Sequence, residues 1–217
     1  MTCEQVCSRI QEVGIVPAIR VASLDDAFFA AETVINSGIP IVEVTMTVPG
    51  ALDVVSSLRK RHPEAVIGAG TLLTAGQVHA CVEAGAMFVT SPGFDPGIVS
   101  ATKKENVAAI PGSLTPSEVM ASLAVGADMV KIFPCARVGG PAYIKSLRAP
   151  FPHVPLIASG GVNQLTAVQF IEAGATALGI REDLIPHAAI VSRKADWIHE
   201  LVRRFLGMVQ KARAAQV

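Results

Sequence analysis

The chain has 217 residues, 51% of them hydrophobic and 17% charged, and its 18 Lys and Arg balance 18 Asp and Glu to a formal net charge of zero. That length and apolar content suffice for one large core, and the charge balance argues against nucleic acid or an anionic membrane surface as partner. The apolar stretches are too short to span a membrane, and the four cysteines (Cys3, Cys7, Cys81, Cys135) form no CxxC pair, so free thiols, a reducing cytoplasm and a small-molecule partner are expected. Cys3 and Cys7 have metal-ligand spacing, but no histidine lies near them in sequence, and they read as small apolar side chains of a first helix.

In chain order, a strand at 15–20 leads to a helix at 24–36, a strand within 37–45 to a helix at 51–61, and one at 65–70 to a helix at 75–83. The pattern continues from 83–92 to 96–105, from 107–111 to 116–125, from 125–131 to 141–147 and from 154–159 to 164–172, before a last strand within 172–180. Four of these strands are entered through a glycine (Gly38, Gly85, Gly126, Gly174), the residue that suits a left-handed helix C-cap. Those glycines stand 47, 41 and 48 residues apart, about two strand-helix units each. Continuously apolar strands alternating with helices imply a parallel sheet covered on both faces, and eight such units predict a (β/α)8 barrel. No linker is evident, so 1–217 reads as one domain. Its tail, 192–213, carries a helical stripe of Trp197, Ile198, Leu201, Val202, Phe205, Met208 and Val209 and reads as a packing helix, its basic residues on the solvated side.

Barrel chemistry collects at the carboxyl ends of the strands. Those ends carry Arg20, Glu43 with Thr45 and Thr47, Thr71, Ser91-Pro92, Pro111-Gly112, Lys131 with Phe133, Ser159-Gly160-Gly161 and Arg181-Glu182. Lys131 is the most unusual of them, because it interrupts the apolar run Met129-Val130-Lys131-Ile132-Phe133. Burial disfavours a charged ammonium, and a neutral amine attacks carbonyl carbons to form a Schiff base; the structural alternative is a strand-end lysine whose head reaches solvent. Side chains alternate along a strand, and alternate strands of a barrel share interior layers, so Glu43 on the second strand is expected to face Lys131 on the sixth. A purely structural ion pair there would carry a large desolvation cost, whereas a carboxyl beside an amine can shuttle the protons of imine chemistry.

Gly160-Gly161 offers backbone N–H groups at the rim, where it precedes a helix expected to begin around Asn163, and suits an anion. Gly68-Ala69-Gly70-Thr71 is no dinucleotide fingerprint, since Leu73 occupies the third glycine position, and no cofactor is implied. Its glycines are expected to let the chain turn and admit a ligand close to the backbone. The five histidines mostly fall on helices or loops away from the strand ends, and no metal site is expected. Two other classes stay open: a phosphate-binding barrel without imine chemistry, and a non-catalytic barrel that holds an anion on its glycine rim.

Val16-Pro17-Ala18-Ile19-Arg20, Val42-Glu43-Val44-Thr45-Met46-Thr47, Gly68-Ala69-Gly70-Thr71, Ser91-Pro92-Gly93, Pro111-Gly112, Val130-Lys131-Ile132-Phe133-Pro134 and Ser159-Gly160-Gly161-Val162 together resemble the 2-keto-3-deoxy-6-phosphogluconate aldolases, also called 4-hydroxy-2-oxoglutarate aldolases. The resemblance implies a metal-free class I lyase, commonly a homotrimer, that cleaves a 4-hydroxy-2-keto acid, foremost 2-keto-3-deoxy-6-phosphogluconate, to pyruvate and glyceraldehyde 3-phosphate. It implies Lys131 as Schiff-base nucleophile, Glu43 as general acid/base, Thr71 and an arginine on the substrate carboxylate, Phe133 and Pro92 as walls of the pyruvyl site, and the glycines after Ser159 on the phosphate. Many relatives place that arginine four residues after the glutamate, where this chain has Thr47. A second subgroup reads Thr-Val-Pro there, as Thr47-Val48-Pro49 does, and carries an arginine at the end of its first strand, which assigns the role to Arg20. After the eighth strand, relatives show a Gly-Ser pair at the phosphate, whereas this chain has Arg181-Glu182. The glutamate opposes a dianion and Arg181 offsets it, which leaves a non-phosphorylated substrate, 4-hydroxy-2-oxoglutarate or a keto-deoxy sugar acid, as the alternative.

Overall fold

A computed structural model of the protein describes residues 1–215. The chain runs α1 (Cys3–Val13), β1 (Ile15–Ile19), α2 (Leu24–Asn36), β2 (Ile41–Thr45), α3 (Ala51–Arg61), β3 (Val66–Gly70), α4 (Gly76–Glu83), β4 (Phe88–Thr90), α5 (Pro96–Lys104), β5 (Ala108–Ile110) and β6 (Gly112–Ser113). It continues with α6 (Pro116–Ala124), β7 (Val130–Ile132), a short 3-10 turn (Cys135–Val138), α7 (Pro141–Arg148), β8 (Leu156–Ser159), α8 (Ala167–Glu172), β9 (Ala177–Ile180), α9 (His187–Val191) and α10 (Ala195–Ala214).

The strands are parallel, in the order β5-β4-β3-β2-β1-β9-β8-β7-β6. The two ends of that order are one stretch of chain, because only Pro111 separates β5 from β6. Proline has no N–H to donate to a ladder. Its carbonyl still accepts from the Lys131 N–H at 2.9 Å, flanked by Asp128 N–H to Ala109 O at 3.0 Å and Phe133 N–H to Ser113 O at 3.1 Å. The sheet therefore closes as the expected barrel of eight strand-helix units.

Local chemistry sets the boundaries. Thr2 with Gln5 and Thr115 with Glu118 form capping boxes, Ser23 and Asp95 cap α2 and α5, and proline opens α5, α6 and α7. Gly38, Gly85, Gly126 and Gly174 all adopt positive φ, as expected of left-handed exits. Helix α10 buries Ile198, Leu201, Val202, Phe205, Val209 and Ala212 and lies against α8 and α2. Trp197, at the edge of that stripe, is instead 43% exposed. At the far end of α10 the Arg213 guanidinium donates to the carbonyls of Gln11, Glu12 and Thr176, tying the last helix to the first.

Two glycines of β3 differ from expectation. They do not turn the chain; they lie inside the strand, two residues apart and so on the same face. A Cβ on Gly68 would stand 2.2 Å from Cζ of Phe88, and one on Gly70 would stand 2.1 Å from Oε1 of Glu43. The bare backbone admits a core ring at one level and a carboxylate at the next. Helix α8 begins at Ala167, later than expected, since Asn163 Oδ1 accepts from the N–H groups of Leu165 and Thr166 and holds a turn in front of it.

Gly68→Ala is expected to lower stability by about 1–3 kcal/mol, the usual cost of overpacking a core. Gly207→Ala, on the exposed face of α10 with nothing near its Cβ, is expected to raise it by up to about 1 kcal/mol from helix propensity. Urea unfolding midpoints of the two variants should move in opposite directions.

Candidate active site

Arg20, Glu43, Thr71, Pro92, Lys131, Phe133, Ser159, Gly160, Gly161 and Arg181 all line one cavity of about 290 Å³ at the carboxyl end of the barrel. The ladder register explains the convergence. Glu43 pairs with Ala18 on β1 and Gly68 on β3, and Lys131 pairs with Gly112 on β6 and Ile157 on β8. Of these neighbours Ala18, Gly68 and Gly112 are small and leave the two long side chains room to meet. Lys131 Nζ lies 3.5 Å from Glu43 Oε2, with side chains 11% and 4% exposed. The Phe133 ring centroid is 5.8 Å from the same nitrogen.

A third group at the amine was not anticipated from sequence. Lys131 Nζ donates to Thr90 Oγ1 at 3.4 Å, and Thr90 is only 2% exposed. The structure supplies the direction: Phe88 fills the space beside Gly68 inside the barrel, and Thr90, two residues on, shares its face. Among the described residues no group of three or more His, Cys, Asp or Glu side chains is placed to hold a metal ion.

At one side of the mouth, Arg20 reaches across β2 and donates from Nη2 to Thr71 Oγ1 at 2.9 Å. Thr71 has φ 61°, a left-handed conformation costly for a β-branched residue and most often retained where a site requires it. Thr47, an uncharged residue, offers no competing cation, and its hydroxyl is bonded to that of Thr45 at 2.8 Å. Pro92 is carried on the loop after β4, where Ser91 Oγ donates to Gly93 O at 2.7 Å and accepts from Gly112 N–H at 3.3 Å.

At the other side, Ser159 ends β8 and Gly160 and Gly161 follow with φ of 85° and 90°. A Cβ on Gly161 would stand 2.4 Å from Ala136 Cβ, so the rim passes tightly under the turn after β7. A Cβ on Gly179 of β9 would meet Ser159 Oγ at 2.6 Å, so this glycine too leaves space for a cavity side chain. Beyond β9, Arg181 Nη2 contacts Glu182 Oε2 at 3.3 Å with both side chains largely exposed, and Asp183 joins them on the cavity wall. Burial, and then the neighbouring Glu182 charge, pushes the Asp183 carboxyl above its ordinary value.

The geometry is that of an amine and a carboxyl at the closed end of a pocket whose two rims differ in charge, and comparison with known proteins agrees. Residues 6–201 match the family model described as KDPG and KHG aldolase. A 2-dehydro-3-deoxy-phosphogluconate aldolase of Haemophilus influenzae is 34% identical over 74% of this chain and 76% of its own. Another of that name, from Pseudoalteromonas atlantica, is 32% identical over 88% of both chains. The crystal structure of KDPG aldolase from Legionella pneumophila, with pyruvate captured as a covalent carbinolamine intermediate, superposes with a TM-score of 0.83 at 32% identity, over 91% of this chain and 96% of that one. The chain belongs to the KDPG and KHG aldolase family, class I lyases that cleave carbon–carbon bonds.

Proposed function

We propose that the cavity cleaves a 4-hydroxy-2-keto acid to pyruvate and an aldehyde through an imine on Lys131. The observation that carries this reading is the buried Lys131–Glu43 contact of 3.5 Å at the mouth of a barrel. The carbinolamine on pyruvate in the Legionella relative supports it.

Glu43 is placed to take a proton from Nζ, and the neutral amine adds to the C2 ketone to give a carbinolamine. Glu43 then returns a proton to the departing hydroxyl, and water leaves to give the protonated imine. The iminium draws the electron pair of the C3–C4 bond as Glu43, now a carboxylate, takes the proton of the C4 hydroxyl, releasing the aldehyde and leaving a pyruvyl enamine. Protonation at C3 through Glu43, followed by hydrolysis, frees pyruvate and Lys131. Thr90 is a positioning residue in this scheme: its hydroxyl, 3.4 Å from Nζ, holds the amine against the carboxyl.

Arg20 and Thr71 receive the C1 carboxylate, where a guanidinium fork and a hydroxyl already point at one another. Phe133 and Pro92 wall the pyruvyl carbons, and Ser159, Gly160, Gly161 and Arg181 line the space for the aldehyde half. 2-Keto-3-deoxy-6-phosphogluconate and its non-phosphorylated counterparts share the pyruvyl half and differ only at that far end. A homotrimer of the barrel is part of the same proposal, read out by light scattering of the eluted species.

Pyruvate with borohydride should leave one reduced pyruvyl group, mapped by mass spectrometry to Lys131, and Lys131→Ala should lose both adduct and turnover; turnover that survives this substitution rejects the imine. Arg20→Ala is expected to raise KM for the keto acid by about 10-fold or more, the scale of one charge-assisted hydrogen bond, with a smaller change in kcat. Thr90→Val should slow adduct formation by about 10-fold, and Thr90→Ser should restore it; an equally slow serine variant would indicate lost packing rather than a lost hydroxyl.

A further inference from the structure

The charges on the cavity wall divide unevenly. Of its three cations, Lys131 and Arg20 belong to the pyruvyl end, where Glu43 is the only carboxylate, so that end carries one net positive charge for a single carboxylate. Arg20 leans away from β9, over β2 toward Thr71 on β3. The far end is left with Arg181, Glu182 and Asp183, a net negative charge, and Arg181 is already engaged by Glu182 at 3.3 Å. Among the residues lining that end Arg181 is the one cation, which leaves a further anion to the backbone of Gly160 and Gly161 alone.

We propose that this far end takes an uncharged, hydroxylated aldehyde half and discriminates against a phosphate dianion, so that the substrate is a non-phosphorylated 2-keto-3-deoxy sugar acid; the inference rests on the pyruvyl aldolase reading above. Hydrogen-bond chemistry points the same way as charge. Ionised carboxylates only accept, and a phosphate dianion only accepts, so the two have no proton to share. A polyol tail brings O–H donors that suit Glu182 and Asp183 and an acceptor for the Ser159 hydroxyl. The distal carboxylate of 4-hydroxy-2-oxoglutarate would meet the same repulsion with a smaller charge. Since Arg181 and Glu182 are 52% and 67% exposed, the discrimination is moderate and falls with ionic strength, over a Debye length of about 10 Å at 0.1 M.

The test compares kcat/KM at low salt for 2-keto-3-deoxygluconate, its 6-phosphate and 4-hydroxy-2-oxoglutarate. The unphosphorylated sugar acid is expected to lead the 6-phosphate by about 10-fold, the scale of one unit-charge interaction at the surface. Glu182→Gln and Asp183→Asn should each narrow that ratio several-fold, and so should added salt in the wild type. A 6-phosphate turned over as well as the free sugar acid, a ratio indifferent to both substitutions, or 4-hydroxy-2-oxoglutarate as the best substrate overturns the assignment. Pyruvate trapping on Lys131 needs no aldehyde half, so an adduct without the expected ranking rejects this inference alone, and absence of the adduct rejects the aldolase reading beneath it.

Discussion

Lys131 and Glu43 bring two ionisable groups within 3.5 Å of each other where little water reaches them. Removing such a pair from solvent costs more than its mutual attraction readily returns, so the surrounding barrel must supply geometry that an apolar core would not need. It does so largely by omission. Ala18 and Gly68 flank Glu43 in the ladder, Gly112 flanks Lys131, and Gly70 leaves free the space its Cβ would take from the carboxylate. The glycine content of these strands, unfavourable for β structure in itself, follows from the need to seat long polar side chains inside a narrow barrel.

Closure of the barrel serves the same pair. The fifth strand breaks at Pro111, yet the carbonyl of that residue accepts from the Lys131 N–H, so the strand that carries Lys131 is pinned at the seam itself. A second anchor lies at the other end of β7. Asp128 accepts from both Lys103 Nζ, at 2.7 and 2.8 Å, and the Ala109 N–H at 2.8 Å. Below the pair, the Phe88 ring fills the space that Gly68 leaves.

Much of this was legible in the chain because each signal had one physical cause. Gly38, Gly85, Gly126 and Gly174 marked helix exits, since only glycine enters the left-handed region without steric cost, and the apolar runs between them fixed the number of strands. A lysine inside an apolar run has few structural explanations, so Lys131 stood out, and parity led from it to Glu43. Thr90 was overlooked because threonine is at home in any strand; only the pairing of Phe88 with the space above Gly68 gives its direction away. Helix α9 has five residues, too few for a periodic pattern to emerge, and Asn163 delayed α8 through side-chain bonds that compete locally with helix formation. Gly68 and Gly70 lie in a strand where a turn is expected for a related reason: a glycine's sequence context does not say whether the missing Cβ serves backbone freedom or a neighbour's volume.

The two ends of the cavity obey different electrostatics. At the closed end, burial leaves the interactions of Lys131, Glu43 and Thr90 weakly screened and dependent on distances of a few tenths of an ångström, so substitution there disturbs chemistry directly. At the rim, Arg181, Glu182 and Asp183 face solvent, where a charge shifts binding modestly and counter-ions dilute it. On the proposed reading, a barrel arranged in this way can hold one bond-breaking step fixed while the residues after β9 vary the far end of the substrate. The loop position makes such change cheap in stability, because the Arg181 and Glu182 side chains are 52% and 67% exposed, and on the proposed reading it confines the consequence to recognition of the aldehyde half.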